Sequence, residues 1–477
     1  MDTQPRPVRH TKIVATIGPA TESREKLTGL IRMGVDVIRL NMAHGSVEWV
    51  AEVVARIREV SRELGRHVAV MMDVKGPEIR TGPVEADIEL KPGDRVCLQC
   101  TSGTPVLEAD HRVSVNYRDL PNDVAVGSTV LVDSGLLRWQ VVEKSDCEVL
   151  CEVVIAGKLG SRRHINLPGV FVNLPALTEK DKRDLAAGVK AGIDFVALSF
   201  VRRGEDIEVL RAMLSEMNHG ARIIAKIEDQ SGASNMLSII RAADGVMVAR
   251  GDLGIEIEYS RLPLVQTELV RACRREGKPV IIATHLLESM VDSPLPTRAE
   301  ISDVATAVRE QADAVMLSGE TTTGSYPLES VDALLKIINS IEPSVEAPLN
   351  TEIDLHEPKA KMLRAAAVLT QDLDHSGIVV FTRSGFLAYV LGALRPRGIP
   401  IFAFTDVEQT FRQCLLPWGV EPFLMPFDDA NPEQTIQDAL QTLCERQWCR
   451  RGQWMAVITN VLAGDTIIDS MQLRQVT

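Results

Sequence analysis

No segment of this 477-residue sequence approaches the roughly 20 consecutive apolar residues that cross a bilayer, and its opening, MDTQPRPVRHTK, lacks the apolar stretch of a secretory signal. The expectation is a cytoplasmic protein without a membrane partner. Positive charge is also in deficit: 52 Lys and Arg stand against 65 Asp and Glu, a formal net charge of −13. That balance excludes a broad nucleic-acid footprint, which needs a basic surface to displace phosphate counterions. A local site for a small anion remains compatible with it, although short basic runs such as Arg271, Arg274 and Arg275 read as a solvated helix face. Without a secretion signal, Arg250-Gly251-Asp252 is not read as an adhesion motif. The eight cysteines include Cys97 with Cys100 and Cys147 with Cys151. These four lie in strand-like segments without the Gly-rich knuckles of structural zinc, so they are expected as reduced core thiols.

Hydrophobic residues make up 45% and charged residues 25% of the chain, the profile of a globular protein, and its length suits two to four domains. Eight apolar runs recur with helical stretches between them: KIVATIG at 12, VDVIRLN at 35, HVAVMMD at 67, DFVALSF at 194, RIIAKIE at 222, DGVMVAR at 244, PVIIAT at 279 and DAVMLSG at 313. Eight β-then-α units predict a closed parallel (β/α)8 barrel, because parallel strands need crossovers and eight close the sheet without an edge. Far more chain lies between the third and fourth runs than a crossover requires. Its alternating segments KPGDRVCLQC and VGSTVLVDSG read as a small β domain inserted on the face where barrel active sites lie. Beyond Ser340, a stretch bearing Pro343, Pro348 and Pro358 marks a linker, and a last α/β pattern follows. The expected divisions are 1–77 and 171–345 for the barrel, 78–170 for the insert and 346–477 for a C-terminal α/β domain.

Catalytic groups in such barrels come from the C-terminal ends of several strands. Here those ends deliver Arg39, Asn41 and His44; Asp73, Lys75 and Arg80; Lys226 and Glu228; Arg250 and Asp252; Thr284 and Glu288; Ser318 and Glu320. Lys226 and Glu228, two apart, point to the same side of a strand. Glu228 paired with Asp252 from the neighbouring strand can hold Mg²⁺, which takes one or two carboxylates and leaves other positions to water and a phosphorylated ligand. Gly251 frees backbone amides to approach a substrate carboxylate, at a turn that opens a helix whose N-terminus favours an anion. Converging cations and a metal suit phosphoryl transfer.

The strings TKIVATIGPAT, IRLNMAHG, MDVKGPEIRTG, GSRRHINLPG, AKIEDQSG, VMVARGDLGIEI, ATHLLESM, PTRAEISDVA and DAVMLSGETTTGSYP closely resemble the pyruvate kinase family, in that family's order. The resemblance implies a TIM barrel with an inserted small β-barrel lid and a C-terminal α/β effector domain, moving phosphate from phosphoenolpyruvate to ADP. It implies that Lys226 stabilises the phosphoryl group and that Glu228 and Asp252 hold Mg²⁺ or Mn²⁺. Gly251, Asp252 and Thr284 would hold the substrate's carboxylate and Arg39 its phosphate, while Asn41, His44, Arg80 and Arg163 would meet the nucleotide. Thr284 and Ser318 lie where the family protonates the enolate, and Arg250 would prop the site from behind. A homotetramer is expected by the same similarity.

Two departures matter. The family's K⁺ site of Asn, Ser, Asp and a Thr carbonyl is here Asn41, Ala43, Asp73 and Val74, so one hydroxyl ligand is missing, although Glu78 matches the K⁺-dependent branch. Arg163 stands where lysine is common, keeping charge but not geometry. In VVFTRSGFLAYVLGALRPRG, residues 379 to 398, a strand, a turn of Thr382, Arg383, Ser384 and Gly385, and a helix form an anion cradle at the family's sugar-phosphate loop. Phe386 and Leu387 replace a basic residue and a hydroxyl, and the later loop TNVLAGDT offers no cation, which points to a sugar monophosphate effector. Two other readings fit parts of this set. One is another divalent-metal barrel enzyme of pyruvate or phosphoenolpyruvate, such as an oxo-acid aldolase, which has no use for an ADP lid. The other is a catalytically silent sugar-phosphate sensor, against which the intact Lys226, Glu228 and Asp252 set argues.

Overall fold

The computed structural model describes residues 9–101, 106–346, 348–373, 376–463 and 466–477. Eight strands, Lys12–Ile17 (β1), Val37–Asn41 (β2), Ala69–Val74 (β3), Phe195–Leu198 (β4), Arg222–Ile227 (β5), Gly245–Ala249 (β6), Val280–Ala283 (β7) and Ala314–Leu317 (β8), pair in parallel and in chain order, and β8 returns to β1. They coincide with the eight apolar runs. The outer faces pack on a ring of helices, and the inner faces form a separate interior layer that includes Val14, Val37, Met71, Ala197, Ile224, Met247 and Met316. Helix boundaries follow local chemistry: Thr297 and Glu300 close a capping box at the start of Arg298–Arg309, and Gly34, in the left-handed region at φ 106°, ends Arg24–Met33.

After β3 the chain enters the insert. A six-stranded sheet ordered Ile165–Asn166, Thr129–Val132, Leu137–Lys144, Glu148–Ile155, Arg95–Gln99, His111–Ser114 curls round fully buried Trp139, beside a two-stranded ribbon of Ile88–Leu90 and Gly157–Leu159. Cys97, Cys100 and Cys151 are buried free thiols there, and no group of three or more His, Cys, Asp or Glu that could hold a metal occurs among the described residues. Nor does any helix among them have the length and apolarity to cross a membrane.

The C-terminal sheet comprises Ser376–Phe381 (β9), Ile401–Thr405 (β10), Val420–Leu424 (β11), Trp454–Ala463 (β12) and Thr466–Gln475 (β13), ordered β11-β10-β9-β12-β13. All pair in parallel except β13, an antiparallel edge strand. This domain plugs the lower end of the barrel: Leu415 and Leu416 join the barrel's interior layer. Buried Arg395 reaches Asp313 at 2.6 Å, and Arg412 reaches Asp194 at 2.6 Å. Arg274 is only partly solvated, and burial lowers its pKa, so the expected solvated face is incomplete there.

Candidate active site

The site is a continuation of the barrel's interior columns. Because strand side chains alternate, the residue two beyond each interior apolar residue points the same way. Val14 is followed by Thr16, Val37 by Arg39, Met71 by Asp73, Ala197 by Ser199, Ile224 by Lys226 and Met316 by Ser318. The apolar layer therefore becomes a polar one at the C-terminal rim.

Lys226 is the hub. Its buried ammonium donates to Ser199 Oγ at 2.8 Å and pairs with Glu228 Oε1 at 2.8 Å and Asp73 Oδ1 at 3.2 Å. Arg39 donates from Nε to Asp73 Oδ2 at 2.6 Å and from Nη1 to Thr16 Oγ1 at 3.1 Å. Burial pushes the Asp73 carboxyl upward, but Arg39 and Lys226 together outweigh it and hold the group below the usual carboxylate range. Burial likewise disfavours the Lys226 charge, yet Asp73 and Glu228 keep its pKa raised. Glu228 is pushed up to about 7 by burial, with Asp252 and Asp73 adding to the shift and Lys226 opposing it. The charge inventory explains this: three carboxylates, Asp73, Glu228 and Asp252, share two cations, Arg39 and Lys226. Asp252 is partly exposed and has no salt bridge among the described residues. An excess of negative charge on hard oxygen donors fits a divalent cation.

Gly251 and Asp252 fall in the first turn of the short helix Arg250–Glu256. The Gly251 amide donates to Thr284 Oγ1 at 2.7 Å, and that hydroxyl donates to the Ala283 carbonyl at 2.6 Å. Thr284 itself has φ 64°, a left-handed conformation rare for a β-branched residue and one that occurs mostly at constrained sites. Arg250 does not reach the carboxylates. It donates to the Thr284 carbonyl at 2.7 Å and pairs with Asp303 at 2.8 Å, so it fixes the strained loop after β7. Ser318 Oγ is buried without a hydrogen-bond partner among the described residues, while the Ser318 amide donates to Glu320 Oε2 at 2.7 Å.

Other expected residues are arranged around this core. Asn41 Oδ1 accepts from the Ala43 amide at 3.1 Å, and the Val74 carbonyl accepts from Ser199 Oγ at 2.7 Å. Glu78 binds Lys75 at 3.0 Å and Arg80 at 2.6 Å. His44 is exposed, and Arg163, also exposed, lies within the inserted domain 3.3 Å from Asp133. In the C-terminal domain, Gly385, at φ 82°, donates to Thr382 Oγ1 at 2.9 Å, and Arg383 is held by Asp406 at 2.8 Å and Asp429 at 3.0 Å. Thr382, Arg383 and Ser384 line a cavity of about 530 Å³ with Phe386 and Leu387. In TNVLAGDT, Gly464 and Asp465 lie outside the described residues.

Three residues of the site are not among those expected from the sequence: Thr16, Ser199 and Glu256. Ser199 directly follows β4 and Thr16 lies in β1, the two strands that contribute no expected residue, although their places two beyond Ala197 and Val14 mark them. Glu256 lies one helical turn beyond Asp252 and accepts from Asn166 Nδ2 of the inserted domain at 2.7 Å. Burial pushes its carboxyl up to about 7.

A family model described as the pyruvate kinase barrel domain matches residues 8–331, and one described as the pyruvate kinase alpha/beta domain matches residues 360–471. A pyruvate kinase of Staphylococcus aureus is 40% identical over 473 residues, covering 96% of this chain and 79% of the relative. Plastidial pyruvate kinase 2 of Arabidopsis thaliana is 39% identical over 462 residues, with the same coverage. The crystal structure of a pyruvate kinase from Cryptosporidium parvum superposes with a TM-score of 0.92 at 34% identity, covering 98% of this chain and 96% of the other.

Proposed function

The chain belongs to the pyruvate kinase family and is a phosphotransferase that converts phosphoenolpyruvate and ADP to pyruvate and ATP, and from that premise we propose how its residues divide the work. The observation that carries the reading is the buried Lys226 ammonium held between Asp73 and Glu228 at the mouth of the barrel. In transfer, the bond from phosphorus to the enol oxygen breaks and a terminal oxygen of ADP forms the new one. Lys226 and Arg39 stabilise the negative charge on the moving group, which is the main demand of this chemistry. Glu228 and Asp252 would hold Mg²⁺ or Mn²⁺, which when bound neutralises phosphate charge and orients the reactants. Gly251, Asp252 and Thr284 position the substrate's carboxylate.

The enolate left behind takes a proton at its methylene carbon. Thr284 and Ser318 supply it through water, and the unpartnered, buried Ser318 hydroxyl is suited to hold that water. Asn41, His44, Arg80 and Arg163 bind the nucleotide as the lid closes and excludes water that would otherwise take the phosphoryl group. Asn41, Asp73 and the Val74 carbonyl present oxygens suited to K⁺, with Glu78 in support. The loop of Thr382, Arg383, Ser384 and Gly385 takes a sugar monophosphate: Asp406 and Asp429 already spend much of the Arg383 charge, which disfavours a second phosphate. The enzyme acts as a cytoplasmic homotetramer, a state that light scattering tests.

A coupled assay of pyruvate formation, run with and without ADP, tests the reading. ADP-dependent pyruvate supports it. Pyruvate released equally without ADP, or none under any condition, rejects it.

A further inference from the structure

The helix Pro432–Glu445 ends in a geometry that the phosphotransfer site does not explain. Beyond it, Gln447 adopts φ 61°, in the left-handed region, and the Trp448 amide donates back to the Leu443 carbonyl at 2.8 Å, so the chain reverses on itself. The Trp448 ring then seats 6.0 Å from Phe402 and 6.3 Å from Phe423, both on the sheet, which anchors the turn. The reversal returns Cys449 to Cys444, with their sulfurs in non-bonded contact at 3.6 Å.

We propose that Cys444 and Cys449 are a redox-active dithiol, a modification site that hydrogen peroxide closes to an intramolecular disulfide. A disulfide needs sulfurs about 2.0 Å apart, so the pair must approach by roughly 1.5 Å, a movement that rotation about the two Cα–Cβ bonds supplies. The two thiols differ in a way that assigns their parts. Cys444 is partly exposed and meets the oxidant, whereas Cys449 is 5% exposed and lies against Cys444. Burial, and then the neighbouring Cys444 sulfur, push the Cys449 thiol pKa upward, which leaves it protonated until it is used.

The Cys444 thiolate attacks one peroxide oxygen; an S–O bond forms, the O–O bond breaks, and hydroxide leaves to take up the thiol proton as water. Cys449 sulfur then attacks the sulfur of the Cys444 sulfenic acid; the S–S bond forms, the S–O bond breaks, and the second hydroxide takes the Cys449 proton. Two thiols lose two electrons and two protons, and one peroxide becomes two waters. A small-molecule dithiol reverses the change. The ring closed is short, so through loop entropy the bond adds less global stability than a crosslink closing a long loop. Its effect is local, pinning one end of a helix whose other end, through Pro432, Thr435 and Ile436, lines the 530 Å³ cavity.

Tryptic cleavage after Arg446 puts the two cysteines on separate peptides, which makes the bond directly visible. The full chain is treated with hydrogen peroxide, blocked with N-ethylmaleimide, digested without reductant and mapped by mass spectrometry. A linked pair of peptides carrying Cys444 and Cys449, with loss of two of the eight free thiols and their recovery in dithiothreitol, is the expected result. In Cys449→Ser the same treatment leaves Cys444 as a sulfenic acid that dimedone traps. Maleimide on both cysteines after excess peroxide overturns the proposal, as does a linkage of Cys444 to any other cysteine.

Discussion

Replacing Lys226 by Met removes the cation on which the transfer chemistry depends while keeping the length of the side chain. As a stabiliser of developing phosphoryl charge in a buried site, Lys226 should carry at least about 10² in kcat, or about 2.7 kcal/mol of barrier. The KM for phosphoenolpyruvate should change less, because Arg39 still meets the phosphate. The same change strips Glu228 and Asp73 of a partner 2.8 and 3.2 Å away. Breaking a buried pair costs roughly 3–5 kcal/mol, but protonation of Glu228, already pushed up to about 7, recovers part of that. Loss of the opposing lysine raises Glu228 further. A carboxyl whose folded pKa exceeds its unfolded value stabilises the fold while protonated, and that stability is lost as pH rises through the folded pKa. The variant should therefore lie closest to wild type in urea midpoint near pH 5 and fall behind above pH 7. Lys226→Arg, which keeps the charge but not the geometry, should restore much of the stability and little of kcat. Coupled pyruvate assays and urea titrations at both pH values read these effects. Near-normal kcat in Lys226→Met refutes the assigned role.

Glu228→Gln should raise the Mg²⁺ concentration needed for half-maximal rate by about tenfold or more, since one charged ligand is lost; an unchanged metal titration removes Glu228 from the metal site. K⁺ should stimulate, Ala43→Ser should lower the K⁺ concentration required, and full activity with only bulky organic cations contradicts the K⁺ site. Glucose 6-phosphate or ribose 5-phosphate should activate at subsaturating phosphoenolpyruvate, with fructose 1,6-bisphosphate weak or inert, and strong activation by the bisphosphate alone refutes the monophosphate assignment. Glu256→Gln should gain stability relative to wild type between pH 5 and 8, by up to about 3 kcal/mol, because a carboxyl raised from 4.5 to about 7 loses its stabilising contribution over that window; equal urea midpoints at both pH values contradict it.

The barrel was legible because its strands are buried on both faces, so each appears as an uninterrupted apolar run ending in polar residues. The edge strand β13 was not: Ile468, Met471 and Leu473 remain exposed, and no burial imposes a pattern on them. Lys226, Glu228 and Asp252 could be picked out one by one, since strand ends carry their cargo locally. What the linear text hides is the network. Asp73, read as a K⁺ ligand, turns out also to tie Arg39 to Lys226, and Ser199 bridges Lys226 to the Val74 carbonyl. These relations depend on the register of β2, β3, β4 and β5, set by closure of the sheet. Arg250, expected to prop the site from behind, donates to the Thr284 carbonyl in the loop after β7.

Phosphorus NMR of a single reaction mixture follows the transferred group itself. With Mg²⁺, K⁺ and ADP, the resonance of phosphoenolpyruvate should be replaced by the terminal phosphate of ATP, with no change when ADP is omitted or when Lys226→Met replaces the wild-type chain. Appearance of inorganic phosphate in place of ATP, or transfer at the wild-type rate without Lys226, contradicts a lid-closed phosphoryl transfer centred on that lysine.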